Sequence, residues 1–392
     1  MTTSRGRLGV IFLTVLIDLI GFGIIIPILP YYAQQFGAKG LGFGVLIGAF
    51  SGMQFVATAL LGRWSDRVGR RPIILATTLI NVAGYVLFAF AGSFWMLLVA
   101  RLISGFAGGN ISAAQAYVAD ITTSADRSRG MGMIGAAFGI GFTIGPALGG
   151  LAGHYWGHTG PGLVAAGLSL TNFVLAYRIL AESLRPEHRS ATDFRPFGHM
   201  AQAFGNARLR PLLIVWAVAP FAFAGYTVAM PLFAATTFGW RERDLGLLFT
   251  AIGVTAAVVQ GWLFGRLVKV AGDRLLLIAG MFGRAAAIAA VPFLRTVPAL
   301  YAWTVLLAFS NSVFAPAATG MVSVLAGAAE QGTVLGVAQS LGALGRLLGP
   351  ETVGTVYDGA GARAAFLSAA AVMALGGVAA LGVPRPGPAR SG

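Results

Sequence analysis

Long apolar runs, each ended by a short polar cluster, set the rhythm of this chain. A membrane-crossing helix needs about 20 mostly apolar residues. Runs of that kind fall near 8–31, 42–62, 73–92, 94–118, 129–152 and 161–181, and again near 211–234, 244–264, 275–293, 297–325, 331–355 and 363–382. The two groups of six are separated by "ESLRPEHRSATDFRPFGHMAQAFGNARLR", residues 182–210, the longest polar segment. The pattern predicts an all-α integral membrane protein of twelve transmembrane helices in two six-helix bundles. Residues 1–181 form the first, 211–392 the second, and 182–210 the linker.

Charge supports the reading and gives it a direction. Only 10% of the 392 residues are charged, against about 25% in soluble domains, so the outer surface must face lipid. Of the 27 Lys and Arg, 19 fall in the terminal and loop segments that lie on one side of the membrane and five on the other. Basic loops stay in the cytoplasm, so both termini are expected there, in a cell membrane and without a cleaved leader. The net charge of +14 follows these loops, and no nucleic-acid partner is expected. There is no cysteine, and the HxxxH of His154 and His158 falls in an expected loop, so no metal or cofactor is expected. No GxxxxGK[ST] loop and no nucleophile–base set is visible, which disfavours an ATP-driven pump and an enzyme.

The halves repeat. "GRWSDRVGRRPIIL" begins at Gly62 and "GRLVKVAGDRLLLI" at Gly265, 203 residues apart. "IGPALGG" and "LGPETVG" place Gly145–Pro146 and Gly349–Pro350 204 residues apart. Two unrelated landmarks at one spacing indicate a duplicated six-helix unit, an arrangement used by transporters with a site near the midplane.

Polar residues inside the runs are the candidate chemistry. Asp18 interrupts "VLIDLIGFGIIIPILP", although a mid-membrane charge costs about 2.5–3.5 kcal/mol even on mild scales. Arg101, Arg284 and Arg346 are the basic residues within spans. Asp18 and Arg101 lie within about 5 Å in depth at 1.5 Å per residue. Candidate substrate-cavity residues are Gln54, Asn110, Gln115, Gln260, Arg284 and Arg346.

Three motifs carry a family resemblance: "GRWSDRVGRRP" (62–72), "RLISGFAGG" (101–109) and "GIGFTIGPALGG" (139–150). With them the chain resembles the major facilitator superfamily, in the branch of twelve-helix drug–proton antiporters that contains bacterial tetracycline exporters. The resemblance implies two pseudo-symmetric bundles and a cytoplasmic gate of Gly62, Asp66, Gly69, Arg70 and Asp120, with Asp120 as the partner of Arg70. It implies an antiporter motif at Gly139, Gly145, Pro146, Gly149 and Gly150. It also makes helices one and four neighbours, so that Asp18 and Arg101 meet as the proton-coupling pair. Locally, Gly62 and Gly69 are expected to permit a tight approach and turn, Asp66 to face a helix N-terminus, and Arg67 and Arg71 to fix topology only.

The expected function is proton-coupled efflux of small hydrophobic or amphipathic compounds by alternating access, as a monomer whose partners are substrate, protons and lipid. The alternative is a metabolite, sugar, anion or lipid transporter with another direction or coupling. The chain departs from the tetracycline-exporter pattern at three places. Gly84 stands for a third-helix acid, Ala256 for an eighth-helix histidine, and Arg284 for a ninth-helix acid, while Gln260 is kept.

Overall fold

A computed structural model of the chain describes residues 4–122, 127–184, 204–326 and 331–385. They form helices α1 (Ser4–Ile25), α2 (Leu29–Gln34), α3 (Gly40–Val68), α4 (Arg70–Ala89), α5 (Phe94–Gly108), α6 (Ile111–Ile121), α7 (Arg127–Trp156) and α8 (Thr159–Ile179). Then follow α9 (Arg210–Phe238), α10 (Glu242–Val258), α11 (Phe264–Ala290), α12 (Val297–Leu325) and α13 (Gln331–Leu381). Most of the expected linker, 185–203, lies outside the described residues.

Among the described residues nine helical stretches are long and apolar enough to cross a membrane. Two of them, Arg243–Phe293 and Val334–Leu381, have 51 and 48 residues. At 1.5 Å per residue each would run roughly 72–77 Å, more than twice the hydrocarbon core of about 30 Å. Each is interrupted by a glycine of positive φ, Gly272 at 71° and Gly361 at 80°. Taken as pairs, and with the 30-residue α7 added, they give twelve crossings. Large apolar side chains face outward along the helices, among them Trp95 and Leu375.

Two expected helices are broken. The first ends at Ile25, and after a turn the chain restarts as α2, with Pro27 inside the break and Pro30 in the first turn of α2. Proline removes a backbone donor and disfavours helix in the residue before it. The fourth divides into α5 and α6 at Gly109–Asn110, where Gly109 N donates to the Phe106 carbonyl at 3.1 Å and Asn110 N to that of Ala107 at 3.0 Å. These tighter i→i−3 bonds replace the α-helical ladder.

The described chain divides into two compact units. One comprises Met1–Ala38, Val45–Asp193 and Trp240–Gly253; the other Lys39–Gly44, Phe194–Gly239 and Val254–Gly392. In the first, α1 packs on α7 and α8, and α4 on α5 and α8. In the second, α9 runs along α13, and α11 packs on α12 and α13. Small residues let membrane helices approach backbone to backbone. A β-carbon at Gly145 would lie 2.7 Å from Gly23 Cα on α1, and one at Gly349 would lie 2.8 Å from Phe221 C on α9. The duplicated Gly–Pro helix thus packs on the first helix of its own unit in both copies.

Candidate functional site

The break in the fourth helix positions the acid in the first. Asn110, at the start of α6, donates from Nδ2 to Asp18 Oδ2 at 2.8 Å. Asn172, on α8, donates from Nδ2 to Asp18 Oδ1 at 3.2 Å and to the Thr14 carbonyl at 3.1 Å. Asp18 is partly buried and Asn172 fully buried. Each carboxylate oxygen therefore has its own carboxamide. Asn172 escaped the sequence reading; its signal is a carboxamide inside an apolar span, in "SLTNFVL", weakened by the neighbouring Ser169 and Thr171. Gln54 closes the same break, donating from Nε2 to the Gly108 carbonyl at 3.1 Å. Asn110 and Gln54, expected in a substrate cavity, are thus engaged with Asp18 and with the backbone.

Arg101 does not form an ion pair with Asp18. It is 3% exposed, its Nε donates to the Leu46 carbonyl at 3.3 Å, and its guanidinium lies 4.5 Å from the Phe50 ring centre and 5.7 Å from that of Phe22. Among the described residues the ion pairs within 4 Å all involve Arg70. Arg101 lies between Phe50 on α3 and Phe22 on α1, one helical turn from Asp18, whose carboxylate is instead taken by Asn110 and Asn172.

The loop between α3 and α4 holds a second polar cluster. Arg70 is 7% exposed and pairs through Nη1 with Asp66. Its Nε reaches Asp120 Oδ2 at 3.2 Å, and its Nη1 donates to Ser65 Oγ at 2.8 Å. Ser183 Oγ donates to Asp120 Oδ2 at 2.9 Å. The backbone N–H groups of Arg70 and Arg71, which open α4, donate to Glu182 Oε1 and Oε2 at 2.9 and 3.2 Å. Charged acceptors are favoured at helix N-termini. This is the place expected for Asp66, which instead holds the Arg70 side chain. Glu182 was missed. Its signal is the glycine at the cap position of α4, which has no side chain to satisfy the first turn.

Gly69 has φ of 118°, and a β-carbon there would run into Glu182. Gly62 lies inside α3, where a β-carbon would meet Ser112 Oγ at an ordinary 3.5 Å, so it forms no turn. Arg71 does more than fix topology, since its Nη2 donates to the Tyr177 carbonyl at 2.8 Å.

In α7, Gly145, Pro146 and Gly149 face α1, Gly149 against the Ile24 carbonyl. Gly150 faces α10, where a β-carbon at Gly246 would lie 2.9 Å from Gly150 Cα. Gly139 belongs to this helix, but its surroundings lie outside the described side chains. Gln115 is exposed on α6, and Gln260 is exposed in the π-helical turn Val259–Leu263. Arg284 is 2% exposed, and Arg346 is partly buried.

The model of the Major Facilitator Superfamily matches residues 11–269 and 221–392. The class C tetracycline resistance protein of Escherichia coli is 31% identical over 359 residues, 90% of each chain. Major facilitator superfamily domain-containing protein 10 of Homo sapiens is 29% identical over 416 residues, 93% of this chain and 90% of that protein. The crystal structure of the human organic anion transporter MFSD10 (TETRAN) superposes with a TM-score of 0.75 at 28% identity, covering 97% of this chain and all of that one. A bacterial homologue of the human lysosomal transporter Spinster, inward-facing and unoccupied, shares the fold at a TM-score of 0.79 and 14% identity, covering 97% of each chain. The chain belongs to the Major Facilitator Superfamily, with tetracycline resistance proteins among its relatives.

Proposed function

We propose that the chain is a proton-coupled exporter of small hydrophobic or amphipathic compounds, working by alternating access as a monomer in the cell membrane, with both termini cytoplasmic. The carrying observation is Asp18 held by Asn110 and Asn172. An ionised carboxylate accepts hydrogen bonds only, whereas a protonated carboxyl also donates one. An arginine partner, a donor without an acceptor, would suit the ionised form alone. A carboxamide offers N–H to the first form and, turned over, its oxygen to the second. The pair therefore accommodates Asp18 in both protonation states, as a carrier exposed to each side in turn requires.

The Arg70 cluster supports a gate, since its charge-assisted bonds join the ends of α3, α4, α6 and the segment after α8. The bias of basic loops supports the orientation. The tetracycline resistance relatives support efflux.

The test uses purified protein in liposomes with an imposed pH gradient and a panel of amphipathic compounds. The wild type is expected to accumulate substrate uphill and to dissipate the gradient as it does so. Asp18→Asn should keep substrate counterflow but lose gradient-driven accumulation. Undiminished uphill transport by that variant removes Asp18 from coupling, and a wild type indifferent to the gradient removes coupling altogether.

A further inference from the structure

Arg284 is the largest fully buried side chain of the described structure, and its charge has no counter-ion there. Nη2 donates to the Ala219 carbonyl on α9 at 3.0 Å, while Nε and Nη1 have no hydrogen-bond partner. The guanidinium lies 5.4 Å from the Phe223 ring centre on α9 and 4.8 Å from that of Phe314 on α12. Phe314 is 6% exposed, and Phe223 is partly buried. A second cation lies beside the same stretch of α9. A β-carbon at Gly342 would sit 3.5 Å from both Arg346 Nη1 and Pro220 Cγ. Arg346 also has no ion pair among the described residues.

A buried charge without a partner is strongly unfavourable, and natural proteins keep one when something else supplies the opposite charge. Aromatic rings stabilise a guanidinium through their faces but leave its in-plane N–H donors unused. We infer that Arg284 is the substrate-recognition group of the C-terminal unit. It takes the carboxylate of an amphipathic compound on its free N–H groups, while Phe223 and Phe314 take the adjoining aromatic body. The favoured substrates are then monoanions, which refines the export reading above and rests on it.

The experiment measures binding to the purified full-length protein in detergent, by calorimetry, at neutral pH. The probes are matched pairs with one ring system each: naphthoate against naphthamide, and biphenylcarboxylate against its amide. One charge-assisted hydrogen bond lost or gained corresponds to about tenfold or more in affinity. The wild type is expected to prefer the acid of at least one pair by about that factor. Arg284→Gln should reduce the preference to near unity with little change for the amide, and Arg284→Lys should retain part of it. An unchanged preference in Arg284→Gln overturns the inference. So does a wild type that prefers the acid in neither pair, a measurement that needs no variant to fold. Equal heats with sodium sulfate and with naphthoate would mark a general counter-ion site and overturn it too. Binding in detergent uses no gradient. A clear acid preference in a protein that ignores a pH gradient therefore upholds this inference while refuting proton coupling.

Discussion

Arg71 donates to the Tyr177 carbonyl at the end of α8 at 2.8 Å. The residue 203 positions later, Arg274, donates to the Leu381 and Val383 carbonyls at the end of α13, both at 2.7 Å. Both units thus tie the third helix of the repeat to the end of the sixth through the same arginine, and the last carbonyls of a helix are natural acceptors for it. One residue earlier the copies part. Arg70 gathers Asp66, Asp120 and Ser65, whereas the matching position is Asp273 and the position matching Asp66 is Lys269. Neither Lys269 nor Asp273 has an ion pair among the described residues. A contact kept in both copies serves the architecture they share. A cluster kept in one is free to serve something only one copy does, which is the physical case for assigning the gate to the N-terminal unit.

The sharpest way to break that comparison is to remove the charge at position 70 and at its counterpart. Arg70→Ala leaves Asp66 and Asp120 facing each other without a cation. A change of about 1.4 kcal/mol between two gate states alters their ratio tenfold, so substrate exchange is expected to fall by about tenfold or more at equal membrane content. Asp273→Ala should stay within about twofold of wild type, because nothing charged depends on it in the described structure. The check is counterflow in liposomes with protein quantified by blot. Equal losses in both variants would make the cluster a stability element of the repeat and not a gate.

This asymmetry was partly legible in the sequence. The repeat spacing, the twelve apolar runs and the loss of the acid at position 269 need only the order of residues, because span length and residue type are local properties. The partners of Asp18 and Glu182 were not legible. Asn172 lies 154 positions from Asp18, and Glu182 lies 112 from Arg70. Which helices become neighbours is decided by packing, which no local pattern encodes. The break at Gly109 was hidden for a related reason: its glycines read equally well as packing residues inside an unbroken span. Arg101 shows the limit of depth arguments. Similar depth does not make two side chains an ion pair when other partners take each of them.

A smaller effect is expected at the glycines that open the same corner. Gly69 and Gly272 stand 203 residues apart, with φ of 118° and 71°, and ψ near 158° and 157°. That region is essentially restricted to glycine, and another residue there costs about 1–3 kcal/mol. Both alanine variants should therefore lower thermal stability in detergent. Gly69→Ala should lower it further, since its β-carbon meets Glu182, whereas nothing lies within 4 Å of the one at Gly272. Gly69→Ala should also slow counterflow by displacing the cap of α4. Equal melting temperatures for the two variants would show that Glu182 yields freely and that the cap contributes little.

The smallest effect is expected where the motif looks most conspicuous in sequence. Gly62 opens "GRWSDRVGRRP" and Gly265 opens its copy, yet both lie in helical segments with ordinary φ. A β-carbon at Gly62 meets only Ser112, at 3.5 Å or beyond, and one at Gly265 meets nothing within 4 Å. Alanine in place of glycine gains about 0.8–1 kcal/mol of helix propensity, and neither site offers a clash to set against it. Gly62→Ala and Gly265→Ala should each leave counterflow within about twofold of wild type and leave the melting temperature unchanged or slightly raised. A marked loss of transport in Gly62→Ala, with Gly265→Ala unaffected, would require closer packing at α3 during the transport cycle than the described structure contains. It would favour a role for Gly62 in the gate.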